Sequence, residues 1–550
     1  MNAETTVGAV AELLLHCEEN GPAQEYGTPR VSISSGGREV FVVSDLHIAA
    51  GKLVDNTYEG TENFFADDSF QRFLLHATGA AGSRKSILVI NGDFIDFLRI
   101  DRCPETRNDF EQWRRVLKPL GVETSLMNSL GSSVTAKERE YGLRTNDYKS
   151  VWRVWIATQG HPAVFDALAD WIAGGNKLII AKGNHDLEWY WQLVRNYLRY
   201  ILYERISRRQ ENLKNVLKDI VLPNLIFVDN GLVIDGDVYL EHGHLKDKFS
   251  TVVDSPTLPM DPRAHKSSHD LELNLPFGSF FNRYLINKIE LAYPFFDNIR
   301  PRQSILPVVM RERFPLGLKL LFHHLLFAGR MVGKPYWKFM FGNAFVFLLV
   351  IVAPIALTAF QIWHSYFSQL IRTGNDAGPG EHLAMTVLRF MGSGFISYAL
   401  SRLVAYLQLQ EPDSITPCAH VEFDNHSEYR IITYGHTHNP DQFRMGEKRF
   451  FNTGTWIPVI SRSSAELRED KTYTYLHLKP DASGRLSADS LERWNDDARR
   501  PDGQVIVLQK EEDDWISQTL RWLVDKFGGG TPCERKGSAD VKATGKRKLR

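Results

Sequence analysis

Residues 178–186 read LIIAKGNHD: a short apolar run, a glycine, then an amide, an imidazole and a carboxylate in successive positions. An apolar run this short, stopping in turn chemistry, reads as a buried strand that ends at a loop. The pattern recurs along the chain. Residues 40–43 lead into Asp45-Leu46-His47, 87–90 into Gly92-Asp93-Phe94-Ile95-Asp96, 238–240 into His242-Gly243-His244, and 431–432 into Gly435-His436-Thr437-His438. Ionisable side chains gathered where strands end predict an α/β or β-sandwich core with its site on strand-end loops. Singly, each motif has a bland reading: a lone DxH is weak, and GDxxD is commonly a strand-to-helix turn with an Asp cap. GNHD and GHTH are more demanding, because each puts ionisable groups in a glycine turn directly after an apolar run. Five such turns in order favour a functional site.

Together the five motifs resemble the signature of the calcineurin-like metallophosphoesterases: DxH, GDxxD, GNH(D/E), a lone His, then GHxH. The run FFNTGTW (450–456) is similar to a segment that family often carries after its last motif. The matching blocks cover roughly 39–250 and 428–480. The resemblance implies an α/β fold of two-sheet α/β/β/α type, interrupted here by a large helical insertion. It implies two divalent metal ions, with Asp45, His47 and His438 on the first, Asn184, His242 and His436 on the second, and Asp93 bridging them. His185 is expected over the phosphate as general acid or charge stabiliser, with Asp186 orienting it. Asp96 is expected as a partner of a ligand or a helix cap, and His244 remains an alternative to His242.

The residue types suit that chemistry. Hydrolysis of a phosphate ester needs a hydroxide near neutral pH and positive charge beside the phosphoryl oxygens; two metals about 3.5–4 Å apart supply both, the nucleophile being a hydroxide that bridges them. Imidazole, carboxylate and amide oxygen suit Mn, Fe, Zn or Ni better than a thiolate-seeking metal. His161, His265, His269, His323, His324 and His420 have no comparable setting and read as core or surface histidines.

The remaining features bound the alternatives. The 550 residues suggest two domains, or one with a sizeable insertion. The net charge of −1 gives no global field for nucleic acid, so no nucleic-acid partner is expected. Cys17, Cys103, Cys418 and Cys533 contain no CxxC pair, which argues against a thiolate zinc site or a disulfide framework. The first 20 residues have no basic stretch before a short apolar run, so a secretory signal is not expected and a cytoplasmic location is. Residues 147–175 and 186–220 each read as helix, the first stopped by Gly174-Gly175.

We divide the chain into an N-terminal extension (1–38), a first core block (39–250), an insertion (251–427), a second core block (428–510), and an amphipathic helix with a basic tail (511–550). Within the insertion, 281–340 carries ten Lys/Arg against three Asp/Glu, and 339–371 has no charged side chain. Its apolar run 344–363 has the roughly 20 residues that a membrane-spanning helix needs. A single crossing is excluded if His242 and His436 share one site, because the chain must return to the side it left. A second crossing at 384–409 is opposed by Arg389 and Arg402, which leave 12 uncharged residues between them. Basic and aromatic flanks favour a monotopic or hairpin contact with the cytoplasmic face of a membrane, against a buried helix in a cap. Such contact suggests a lipid-linked phosphorylated substrate. The resembled family includes enzymes that cleave the pyrophosphate of UDP-diacylglucosamine, but these are shorter and carry Arg where this chain has His185. The expectation is a dinuclear metal-dependent phosphoesterase acting on a phosphate ester or pyrophosphate. The alternative is a non-catalytic scaffold on the same fold that recruits partners to a membrane.

Overall fold

The computed structural model describes residues 3–17, most of 30–291, 298–300, 363, 415–461, 472–495 and 504–505. The chain divides into two compact units: residues 1–298, 414–459 and 467–550, and residues 299–413 with 460–466. The first holds every motif. In the second, the described strands are Ile299–Arg300 and Ile460–Ser461, which pair in parallel. Residues 344–362, the stretch 384–409 and the C-terminal segment 511–550 lie outside the described residues, and Trp363 is described as exposed. Among the described residues, no helix is long and apolar enough to cross a membrane.

The first unit is mixed α/β and built on two sheets. In chain order its strands begin β1 (Val31–Ile33), β2 (Glu39–Val43), β3 (Ser86–Asn91), β4 (Lys177–Ala181), β5 (Leu225–Val228), β6 (Gly231–Ile234) and β7 (Val238–Glu241). They continue with β8 (Ile431–Tyr434), β9 (Asp441–Met445), β10 (Lys448–Asn452) and β11 (Thr474–Pro480). β2 to β5 lie side by side in parallel, with β11 antiparallel on the outer side of β2. The other sheet places β7, β8 and β10 in parallel, flanked by β6 and β9. β1, from the N-terminal 38 residues, adds to it beside β6.

The apolar runs are unbroken because both faces of each sheet are covered. Successive side chains on a strand point to opposite faces. Val40, Val42, Ile87, Val89, Ile179 and Val228 therefore meet Leu232, Ile234, Val238, Leu240, Ile431 and Phe451 between the sheets. Their neighbours Phe41, Val43, Leu88, Ile90, Leu178 and Ile180 face a second core. Residues of helices Asp67–Ala80, Asp147–Gly160, Pro162–Ala173 and Gln192–Arg209 complete that core. On the far side, Tyr239, Ile432, Tyr434 and Phe450 pack with Ala419 and Phe423 of helix Thr416–Asn425. The layers thus run helix, sheet, sheet, helix.

Two helical expectations need correcting. Residues 147–175 form two helices, not one: the first ends at Gly160 and the second starts at Pro162. Proline lacks the N–H to continue the first, and a Cβ on Gly160 would lie 1.9 Å from Ala50 O, so the chain turns where a loop crosses closely. The helix expected over 186–220 is a 3₁₀ turn at Leu187–Tyr190, a helix over Gln192–Arg209, and a separate turn at Val216–Val221 entered through Asn215 at φ 54°. Of the histidines set aside, His161 is buried between Glu62 and Asp67, and His420 stacks on Phe443. His265, His269, His323 and His324 lie outside the described residues.

Phe73 ties the helix layer to the sheet through ring contacts with Phe41, Phe70, Trp456, Tyr475 and Trp494. Phe73→Ala should lower the unfolding free energy in a urea titration by about 3–5 kcal/mol. A change below about 1 kcal/mol would mean the cluster is not packed as described.

Candidate metal centre

Every motif lies at the carboxyl end of a parallel strand: Asp45 after β2, Asp93 after β3, Asn184 after β4, His242 after β7 and His436 after β8. Backbone hydrogen bonds lace these turns together. Asp45 N donates to Gly92 O, His47 N to Asp93 O, and Gly435 N to His242 O, at 2.9–3.1 Å. The FFNTGTW run closes over Asp45: Thr455 Oγ1 and Trp456 N both donate to its carbonyl.

The glycines of the motifs have a steric cause. A Cβ on Gly92 would lie 2.3 Å from the His242 ring, one on Gly183 2.1 Å from Asp93 Oδ1, and one on Gly435 2.6 Å from Asp45 Oδ2. Strain gathers in the same turns. Eight described non-glycine residues have left-handed backbone, and Asp45, His47, Asp93, His436 and His438 are five of them, at φ 50–71°. Each such conformation costs about 1–3 kcal/mol, and such residues concentrate at functional sites.

The side chains converge into three sets of metal-ligand type: Asp45, His47 and His438; His47, Asp93 and His185; Asp93, His242 and His436. His47 Nε2 lies 2.9 Å from His438 Nε2, and these two lie 3.8 and 3.3 Å from Asp45 Oδ1. Ligand bonds of about 2.0–2.2 Å place two ligands of one ion about 3–4 Å apart, so these separations fit a cation. Asp45 Oδ1 is buried and accepts no hydrogen bond, which leaves it free for one. Asp93 Oδ2 lies 3.7 Å from His47 Nε2 and 3.1 Å from His242 Nε2, between the outer sets. Asn184 Oδ1 is 3.3 Å from His242 Nε2. The donor set is all nitrogen and oxygen, as a first-row divalent ion takes.

The imidazoles are held from behind. His47 Nδ1 pairs with Asp96 Oδ2 at 2.8 Å, His242 Nδ1 with Asn91 O at 2.9 Å, and His436 Nε2 with Asp247 Oδ2 at 3.2 Å. Such partners fix the tautomer and leave the other ring nitrogen for a metal. His242 and not His244 faces Asp93. His244 Nδ1 is buried without a hydrogen bond, and burial first, then the His242 charge, hold its pKa well below the ordinary value.

One expected role moves. Asp186 does not orient His185: its carboxylate accepts from Gly183 N, Phe94 N and Trp189 Nε1 and braces the turns. Burial and the neighbouring Asp93 charge push its carboxyl above the ordinary range. His185 is oriented by Asp96, whose Oδ2 lies 2.9 Å from His185 Nδ1. Sequence reading missed this double use of Asp96, and it missed Asp247, which only folding brings to His436.

The buried carboxylates set the electrostatics. Burial lowers the pKa of His47, but the nearby Asp45 carboxylate, the hydrogen bond to Asp96 and the charge of Asp93 outweigh it and raise the ring to about 10. Burial likewise opposes, and Asp93 and Asp45 overcome, a rise of His242 to about 9. Burial pushes the Asp45 and Asp93 carboxyls up, yet the facing imidazoles hold both well below their usual range. Protons on imidazole thus balance the carboxylates in the metal-free protein. A metal ligand must be neutral imidazole, so metal uptake expels them.

Calorimetric titration of metal-stripped protein at pH 7.5, in buffers of differing ionisation enthalpy, should therefore show release of about two protons, one each from His47 and His242. Apparent affinity should fall as pH drops below about 9, because both raised pKa values lie above that range and protons compete. Uptake with no proton release would contradict this charge balance. No protein-family model, no curated protein and no solved structure matches the chain.

Proposed function

We propose that this chain is a dinuclear metal-dependent phosphoesterase of the calcineurin-like type, hydrolysing a phosphate ester or pyrophosphate. The observation that carries the reading is Asp93 Oδ2, buried between His47 Nε2 and His242 Nε2 and flanked by the other members of two ligand sets. Asp93 belongs to two of the three sets, one with His47 and His185 and one with His242 and His436, and a carboxylate shared in this way suits a pair of adjacent cations. Asp45, His47 and His438 would hold the first ion, and Asn184, His242 and His436 the second, with Asp93 common to both. The helix, sheet, sheet, helix layering supports the same family reading, as do the five motifs in order.

When bound, two divalent ions supply a nucleophile near neutral pH and neutralise the phosphoryl oxygens. The chain's own residues do the rest. Asp93 Oδ1 accepts from His185 N at 2.8 Å, which locks the GNHD turn onto the ligand carboxylate. Asp96 Oδ2 accepts a hydrogen bond from His185 Nδ1–H, which would leave Nε2 for the leaving oxygen or the phosphate. The His185 side chain is 12% exposed, against 7% and 8% for His436 and His438, the larger exposure suiting a residue that touches substrate. Asp96 holds His47 and His185 with one oxygen and fixes their spacing.

The substrate class rests on sequence. The charge-free 339–371 run with basic, aromatic flanks favours contact with an anionic membrane surface and a lipid-linked phosphate, and all of these residues but Trp363 lie outside the described ones.

Hydrolysis of mono- and bis-(p-nitrophenyl) phosphate and of a lipid pyrophosphate in vesicles, with added Mn(II), tests the reading. Turnover should vanish with EDTA. Asp93→Asn should lose both ions and all turnover. His185→Ala should keep both ions and lose about 10²–10⁴-fold in rate. Equal metal loss in both variants would overturn the roles, and wild-type protein that neither binds metal nor turns over any of the three would favour the scaffold.

A further inference from the structure

A segment outside all five motifs reaches the GNHD turn and the residues that follow Asp96. Helix Phe277–Phe281, the turn Asn282–Ile286 and helix Asn287–Glu290 follow one another. Three of their buried side chains reach the motif turns. Ser279 Oγ donates to Asn184 O at 2.8 Å, Asn287 Nδ2 donates to Leu98 O at 2.6 Å, and Glu290 accepts from Arg99 Nη1. Arg99 in turn reaches Asp96 Oδ2 with Nε at 3.2 Å. The side chains of Glu290, Arg99, Asp96 and His47 are all 2% exposed or less, so the chain of contacts is closed to water.

We propose that Glu290 is a positioning residue of the metal centre: by clamping the Arg99 guanidinium it fixes the Asp96 carboxylate, and through it the imidazoles of His47 and His185. The proposal rests on the dinuclear reading above. Its physical basis is a shared oxygen. Asp96 Oδ2 faces three donors: His47 Nδ1 at 2.8 Å, His185 Nδ1 at 2.9 Å and Arg99 Nε at 3.2 Å. Its partner Oδ1 is taken by Leu98 N and Arg99 N. A guanidinium is a rigid planar fork, so anchoring one end sets where the other points. Here Glu290 and Thr61 O accept from Nη1, and Nε meets Asp96. Without the charge of Glu290 that anchor weakens and Nε no longer fixes Asp96. His47 would then lose the firm partner that aims its Nε2 at the first ion. Loss of such a supporting carboxylate typically costs about 10–100-fold in metal affinity or activity.

The test is Mn(II) titration followed by electron paramagnetic resonance, with steady-state kinetics, on wild type, Glu290→Gln and the double variant Arg99→Met/Glu290→Met. Glu290→Gln should bind the first ion about 10–100-fold more weakly, leave the second within about twofold, and lower kcat with KM unchanged. The double variant removes the buried pair without stranding either charge, so it should fold. It should still show the weakened first site and the low kcat. Wild-type affinity and kcat in Glu290→Gln would overturn the proposal. So would their recovery in the double variant, which would make the pair a stability feature only. If Glu290→Gln fails to fold, the double variant decides alone. Wild-type protein that takes up no Mn(II) would overturn the dinuclear reading and this proposal together, whereas two ions bound equally by all three proteins would overturn only this proposal.

Discussion

The structure depends on one electrostatic constraint: Asp45, Asp93 and Asp96 are buried within a single set of loops. Carboxylates taken out of water must be paired or hydrogen-bonded, or they protonate. Here each is met by imidazole. The raised pKa values of His47 and His242 and the depressed ones of Asp45 and Asp93 are two sides of that balance. Asp45 Oδ1 has no hydrogen bond even so, and Asp93 Oδ2 sits between two nitrogens. Protons on imidazole satisfy such a site, and the same groups are of the kind that could hold a metal ion.

Local geometry follows from the same constraint. Side chains from five strand ends lie within a few ångströms of one another, and their turns carry left-handed backbone at Asp45, His47, Asp93, His436 and His438. The backbone of Gly92, Gly183 and Gly435 lies against neighbouring side chains too closely for a Cβ. The two sheets hold these turns in place. Parallel strands covered on both faces give a rigid base, and both sheets contribute these side chains at their carboxyl ends, where loops are free to differ in length without disturbing the core.

What could be read from sequence divides along contact range. The strands at 40–43, 87–90, 178–180, 238–240 and 431–432 were legible because an apolar run and its turn are local. The ligand candidates were legible for the same reason. The supporting shell was not. Asp96 sits three residues after Asp93, yet its sequence position says nothing of reaching both His47 and His185. Asp247 lies 189 residues from His436 and Glu290 lies 191 from Arg99, and neither belongs to a recognisable pattern. Adjacency of Asp186 to His185 suggests contact, whereas in the fold Asp186 accepts from Gly183 N, Phe94 N and Trp189 Nε1 and His185 pairs with Asp96. The break at Pro162 was available locally, but the helical periodicity on either side concealed it.

The most direct test of the central claim is anomalous X-ray diffraction from crystals of the full chain soaked in Mn(II). The account predicts two peaks flanking Asp93 Oδ2, one among Asp45, His47 and His438 and one among Asn184, His242 and His436. No peak at these residues, or a single peak that leaves Asp93 on one side only, would contradict it.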